Sequence, residues 1–326
     1  MAQATGQPIE VSQQGYTLGL HVLFEPENAS PKVELKELCL IDSVVAVHGL
    51  GGDSYSTWID PNSNCLWLRD LLPQSNIFKE SARILTFGYD AKVFVNPSAS
   101  AARGRTFTFA EELLNDLDDK RGGEAQHRPI IFVGHSLGGI VIKAAKALCY
   151  AHLRKSLYST ILDSTYSIVF FGTPHQGTDS AVWATYLGKI GTVFGVAASR
   201  ATRDLKRWSD PLLELSVNFA ELVDRFEITT FFEGKPVNGV MVAPEGTVRL
   251  GLRRERCGQL DGDHRTICKF SYSDPKFNVV KNRFDSIMQE IMSMRLANEL
   301  PVPVSTTSQQ SLEQRLEALT NFNKSG

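Results

Sequence analysis

One serine in this chain stands where a serine can become reactive. Gly134-His135-Ser136-Leu137-Gly138 reads G-x-S-x-G, with the β-rich run Pro129–Val133 before it and the apolar stretch Leu137–Leu153 after it. A strand–turn–helix of this kind holds a serine hydroxyl clear of a sheet in a strained turn. The glycines stand where side chains would collide. The hydroxyl is too weakly acidic to attack a carbonyl unaided, so an imidazole must take its proton. Of the seven histidines, His152, His175 and His264 follow Ser136. At such an elbow the chain order is serine, acid, histidine. His175 comes directly after the next β run, too early to follow an acid on a later one. His152 and His127 lie near the ends of expected elements and read as solvated, and His21 reads as structural. His264, in Leu260-Asp261-Gly262-Asp263-His264-Arg265, is the expected base. The acid that orients it is expected at Glu233, after the run Glu227–Phe232, with Glu245, after Val240–Ala243, as the alternative. Asp261 and Asp263 read as loop formers. An oxyanion needs backbone donors. They are expected from the amide of Leu137 and that of Leu50, in His48-Gly49-Leu50-Gly51-Gly52-Asp53.

These residues need a frame. Apolar β-rich runs alternate with helical stretches, the pattern of a mostly parallel sheet flanked by helices. The runs are Tyr16–Phe24, Ser43–Val47, Arg83–Phe87, Pro129–Val133, Ser167–Phe171, Glu227–Phe232 and Val240–Ala243. Most are continuously apolar, as strands buried on both faces are. In parallel sheets ligands sit at the carboxyl ends of strands, so the tails of these runs are where chemistry is sought, with His264 in a polar loop after the last of them. Thr106–Lys120 and Leu137–Leu153 read as helices, and 179–225 as a helical cap or lid inserted between two strands. Within it Trp183, Tyr186, Leu187, Ile190, Val193 and Phe194 recur at roughly helical spacing and read as lid or core. The expected organisation is a flexible start (1–14), one α/β body (15–298), and a linker with a short helix (299–326, Pro301–Gln310 then Ser311–Phe322).

Composition excludes several other functions. Lys plus Arg less Asp plus Glu is 34 − 36 = −2, which argues against nucleic acid as a partner. No GxxxxGK[ST] or GxGxxG phosphate loop is present, and no HExxH. Asp261-x-Asp263-His264 lacks companion ligands, so no metal or organic cofactor is expected. The cysteines Cys39, Cys65, Cys149, Cys257 and Cys268 are widely spaced and odd in number, which suits reduced thiols in a cytoplasmic protein. The start MAQATGQPIEVSQQG has neither a basic nor an apolar stretch, so no secretory signal is expected. Arg249, Arg253, Arg254, Arg256, Arg265 and Lys269 crowd around His264 in sequence, suiting either an anionic head group or a solvated basic face.

At VVAVHGLGGD (Val44–Asp53), GHSLGGIVIK (Gly134–Lys143), FFGTPHQGT (Phe170–Thr178) and DHRTICKF (Asp263–Phe270), the chain resembles the serine esterases of the lipase-like α/β-hydrolase superfamily. It is most similar there to the SesB-type domain at the N-terminus of fungal NOD-like receptors. The resemblance spans roughly Gly15 to Leu296 and implies an α/β-hydrolase fold. It also implies Ser136 as nucleophile, His264 as base and Glu233 as acid by position. The implied activity is hydrolysis of a carboxylic ester, more a lipid than a peptide, with peripheral membrane contact as one partner expectation. The implied setting is an intracellular immune or incompatibility effector, which in a longer parent would precede a NACHT or NB-ARC module. A thioesterase or amidase on the same three residues is the chemical rival. A non-catalytic binding module is the rival of another class.

Overall fold

The structure, a computed structural model, describes residues 18–26, 41–91, 102–121, 123–150, 155–175, 180–194 and 209–299. Its strands are β1 (Gly19–Phe24), β2 (Ile41–Val47), β3 (Ile59–Asp60), β4 (Cys65–Leu66), β5 (Ala82–Gly88), β6 (Ile130–His135), β7 (Thr165–Phe171), β8 (Glu227–Glu233) and β9 (Arg256–Leu260). Its helices are α1 (Trp67–Asp70), α2 (Asn76–Ser81), α3 (Ala102–Lys120), α4 (Leu137–Tyr150), α5 (Lys155–Ser164), α6 (Ser180–Val193), α7 (Ser209–Ala220), α8 (Glu245–Val248) and α9 (Pro275–Glu299). Seven strands form one sheet in the order β1-β5-β2-β6-β7-β8-β9, and β3 pairs with β4 in a small ribbon. Only β1 runs antiparallel to its neighbour in the large sheet. A parallel sheet with an elbow serine at the end of a central strand is the α/β-hydrolase arrangement.

Continuous apolar strands are explained by burial on both faces. Val45, Val47, Phe132 and Phe170 join one core with α3 to α7, and Val44, Ala46, Val133 and Phe171 join the other with α1, α2 and α9. Successive side chains thus go to opposite cores, as the two-residue period requires. β1 lies on the outer edge, which explains its mixture of buried and exposed residues.

Two expectations change. Val240–Ala243 is not a strand. Val240 makes an isolated bridge to Val237, because the free edge of β8 is taken by β9, from Thr229↔Arg256 to Glu233↔Leu260. β9 itself, RCGQL, escapes an apolar reading because it is an edge strand of mostly half-buried or exposed residues. The region 179–225 contains α6, α7 and a 3-10 turn, Val223–Arg225. Residues 1–14 and 300–326, hence the expected flexible start, linker and terminal helix, lie outside the described residues, as does His152.

Candidate active site

Ser136 follows β6 and opens α4. Its φ is 51°, the left-handed backbone expected of a strained elbow. Three bonds fix the turn. Ser136 N–H donates to Phe171 O at 2.9 Å, and its own carbonyl accepts from Gly139 N–H and the Thr173 hydroxyl, each at 3.1 Å. Gly138 must lack a side chain, since a Cβ there would run into the carbonyls of Val47 and His48.

His264 Nε2 lies 2.9 Å from Ser136 Oγ, and both side chains are fully buried. On the other side of the ring, Nδ1 faces Glu233 Oε2 at 3.5 Å. Among the described residues neither of those two atoms has a hydrogen-bond partner, and they face each other. Such contacts are commonly long before substrate binds. The facing carboxylate assigns the ring proton to Nδ1 and leaves Nε2 to accept from the serine. Glu233 Oε1 accepts from the Ala243 amide at 2.5 Å. The segment that does not join the sheet therefore wraps back to hold the acid. Glu245 stands apart: half-exposed at the start of α8, it pairs with Arg249, whose Nε donates to its Oε1 at 2.7 Å.

The loops that carry acid and base are stitched together. Gly234 N–H donates to Leu260 O at 2.9 Å and to Gly262 O at 3.0 Å, and Lys235 N–H to Gly262 O at 3.0 Å. Asp263 caps the base's turn, accepting from the amides of Arg265 and Thr266. Asp261 pairs with Lys235 at the surface. Both aspartates are thus loop formers, as read from sequence. His135 Nε2 lies 2.8 Å from the His264 carbonyl. Burial first, then the neighbouring His264, push His135 down to about 3, so it is neutral and donates that bond. Four residues beyond the base, the Cys268 carbonyl accepts from the Trp67 indole at 2.9 Å.

The loop after β2 lies directly on the elbow. A Cβ on Gly49 would sit 2.9 Å from the Cβ of Ser136. Leu50 and Leu137 are buried here, and no hydrogen bond among the described residues engages the Leu50 amide. Leu137 is the first residue of α4, where an N–H has no partner within the helix. His48 supports the loop. It stacks on Tyr89 at 4.3 Å, and its Nε2 accepts from the Tyr89 amide at 3.2 Å.

The remaining histidines lie elsewhere. His175 is buried beyond β7, where its ring packs edge-on to Phe170 at 4.4 Å and neither nitrogen has a hydrogen-bond partner among the described residues. His21 Nε2 meets the Leu18 carbonyl at 2.9 Å, and His127 is next to Gln126 at the surface. In the basic cluster, Arg249, Arg254 and Arg256 face Glu245, Glu227 and Glu290, while Lys269 Nζ donates to the Ile59 carbonyl at 3.1 Å. Among the described residues no group of three or more His, Cys, Asp or Glu side chains could hold a metal ion. Cys65, Cys257 and Cys268 are free thiols.

One residue of the site is not singled out by the sequence. Tyr186, on α6, places its hydroxyl 3.1 Å from Ser136 Oγ. It belongs to the apolar stripe in which Trp183, Leu187, Ile190 and Val193 also pack into the core, with Phe194 partly buried against it. A hydroxyl-bearing ring within that stripe is the only sequence signal of it.

Residues 43–192 match the family described as "Putative serine esterase (DUF676)". That span holds the elbow, the Gly49 loop and Tyr186, and ends before Glu233 and His264. Protein SERAC1 of Danio rerio is 29% identical over 248 residues, 69% of this chain and 36% of that protein. Protein SERAC1 of Homo sapiens is 25% identical over 283 residues, 80% of this chain and 40% of that protein. The chain therefore spans two fifths or less of these relatives. Among solved structures, the mature lipase BlEst2 of Bacillus licheniformis is 17% identical with a TM-score of 0.48, covering 82% of this chain and 97% of that one. The peroxisomal α/β-hydrolase Lpx1 of Saccharomyces cerevisiae is 12% identical with a TM-score of 0.41, covering 90% and 89%. The chain has the α/β-hydrolase fold, and its residues 43–192 match a family described as serine esterases.

Proposed function

We propose that this chain hydrolyses carboxylic esters through Ser136, His264 and Glu233. Ser136 Oγ attacks the acyl carbon as its proton passes to His264 Nε2. Glu233 steadies the imidazolium from the Nδ1 side. The amides of Leu137 and Leu50 donate to the oxygen that becomes negative. The carbon–oxygen bond to the alcohol then breaks, and that oxygen takes the proton from His264. Water, activated by the same imidazole, releases the acyl group from Ser136. The observation that carries this reading is the 2.9 Å contact between His264 Nε2 and the hydroxyl of a serine held at φ 51°.

The surroundings of the serine favour an apolar acyl group. Leu50, Leu137 and Tyr186 are buried beside it, and the Phe194 ring lies over Gly51. A lipid-like ester is the substrate class proposed. Among the described residues no helix is long and apolar enough to cross a membrane. A cytoplasmic setting, membrane contact and a role as effector beside a NACHT or NB-ARC module are proposals that rest on cysteine usage and the sequence resemblance. The test is hydrolysis of p-nitrophenyl esters of increasing acyl length by wild type and His264→Ala. Turnover that rises with acyl length and is lost in the variant supports the reading. Turnover unchanged in His264→Ala sinks it.

A further inference from the structure

The Tyr186 hydroxyl is more than packing. It lies 3.1 Å from Ser136 Oγ and 3.5 Å from the Gly172 carbonyl, and the ring is buried. The single hydrogen of Ser136 is directed at His264 Nε2, so the hydrogen in the Tyr186–Ser136 contact comes from the tyrosine, whose one hydrogen is shared between Ser136 Oγ at 3.1 Å and the Gly172 carbonyl at 3.5 Å. Burial raises the Tyr186 pKa well above the phenolic range, which keeps that proton on the ring oxygen through the reaction.

Which strand end the hydroxyl stands beside follows from the sheet. β6, which carries Ser136, lies between β2 and β7. The Leu50 loop comes from the end of β2. Gly172 comes from the end of β7 and touches the base: a Cβ on it would sit 3.1 Å from both Cε1 and Nδ1 of His264. Tyr186 O–H, 3.5 Å from the Gly172 carbonyl, therefore stands beside the β7 end that touches His264. In an ester bound to Ser136 the carbonyl oxygen must point to the Leu50 and Leu137 amides. The leaving oxygen must be within reach of Nε2 of His264, the residue that this β7 end touches.

We infer that Tyr186 is a catalytic residue that donates a hydrogen bond to the leaving-group oxygen as the carbon–oxygen bond breaks. In the resting site its hydrogen is shared between the serine lone pair and the Gly172 carbonyl. When the acyl carbon bonds Ser136 Oγ, that lone pair is consumed and the hydroxyl turns to the neighbouring leaving oxygen. The bond's electron pair goes to that oxygen, the proton it gains comes from His264 Nε2, and the proton of Tyr186 stays on Tyr186. The consequence is selectivity. Alkoxides, which leave poorly, need the extra donor, whereas a stable phenolate does not.

This inference rests on the ester-hydrolase reading, and one experiment separates the two. The ethyl and p-nitrophenyl esters of one acyl group are compared in wild type and Tyr186→Phe, which keeps the ring and its edge-on contact with Trp183. Labelling by a fluorophosphonate, whose leaving fluoride needs little assistance, reports that the Ser136 site is intact in the variant. The expected result is a fall of about 10- to 100-fold in kcat/KM for the ethyl ester, the worth of one hydrogen bond to a developing charge. The p-nitrophenyl ester and the labelling rate should fall by less, so that the ratio of ethyl to p-nitrophenyl kcat/KM drops by about 10-fold or more. Equal falls on both esters, or a rise on both, overturn the inference and leave the hydrolase reading standing. A wild type that labels with no probe and cleaves neither ester removes that reading and this inference with it.

Discussion

The two faces of the sheet are buried to similar depth and built from different materials. On one face Trp67 is the hub. It stands edge-on to Phe270 at 5.4 Å and to Phe284 at 6.0 Å, with Phe277 at 5.9 Å, and its indole is satisfied by Cys268. On the other face, beneath α6 and α7, polar atoms are buried with few partners. Lys143 Nζ reaches the Pro174 carbonyl at 2.8 Å amid the rings of Phe170, Trp183 and Phe219. Among the described residues both ring nitrogens of His175 and the indole nitrogen of Trp183 go without a hydrogen bond, as does the Trp58 indole on the aromatic face. Buried polar atoms left unpaired cost stability. The aromatic face fixes the loop that carries His264. The opposite face carries α6, whose Tyr186 stands beside Ser136, over these unpaired polar atoms.

Variants can break or sharpen this contrast. The largest effects belong to the strand ends between the faces. Ser136→Ala should lower kcat by about 10⁴- to 10⁶-fold in a folded protein, measured on an activated ester. Glu233→Gln should cost about 10²- to 10⁴-fold, because an amide cannot hold the imidazolium. Glu245→Gln in the same assay serves as its control and should stay within about twofold, since that carboxylate is half-exposed on Arg249. A reversal of the two would move the acid to α8. Trp67→Ala should destabilise the fold by about 3–5 kcal/mol in urea melts, as truncation of a large buried aromatic does. A loss under about 1 kcal/mol would mean that the aromatic face is not the rigid one.

Lys143 gives the smallest and most specific test. Burial lowers its pKa from the ordinary 10.5 to about 7. Below about pH 7 the amine is charged in both folded and unfolded chains, and burial opposes folding. Between the two values the unfolded chain holds more protons, so stability rises with pH. Lys143→Met should therefore stabilise more at about pH 6 than at about pH 9, read as the difference in melting midpoint from wild type. An equal gain at both would place the ammonium in a solvated environment.

Much of the site is legible from sequence because its determinants are local. Ser136 is announced by a glycine-flanked turn between an apolar strand and an apolar helix. Chain order selects His264. Glu233 is marked by ending an apolar run, and the structure brings it to His264 while leaving Glu245 at the surface. The partner that holds Glu233 is not legible. Val240–Ala243 has strand composition, but competition with β9 for one sheet edge decides its fate, and that is a tertiary matter. β9 is hidden for the converse reason, since an edge strand needs few apolar residues. Tyr186 is hidden because helical spacing tells which face of α6 is buried and not what that face touches.

The central claim is that Ser136, activated by His264, is the nucleophile. Its most direct test is to treat the folded protein with a fluorophosphonate and map the adduct by peptide mass spectrometry, alongside Ser136→Ala and His264→Ala. The account predicts a single adduct on Ser136, absent from the first variant and slowed by at least about 10³-fold in the second. An adduct on another residue, equal labelling of His264→Ala, or no adduct on folded wild type would contradict it.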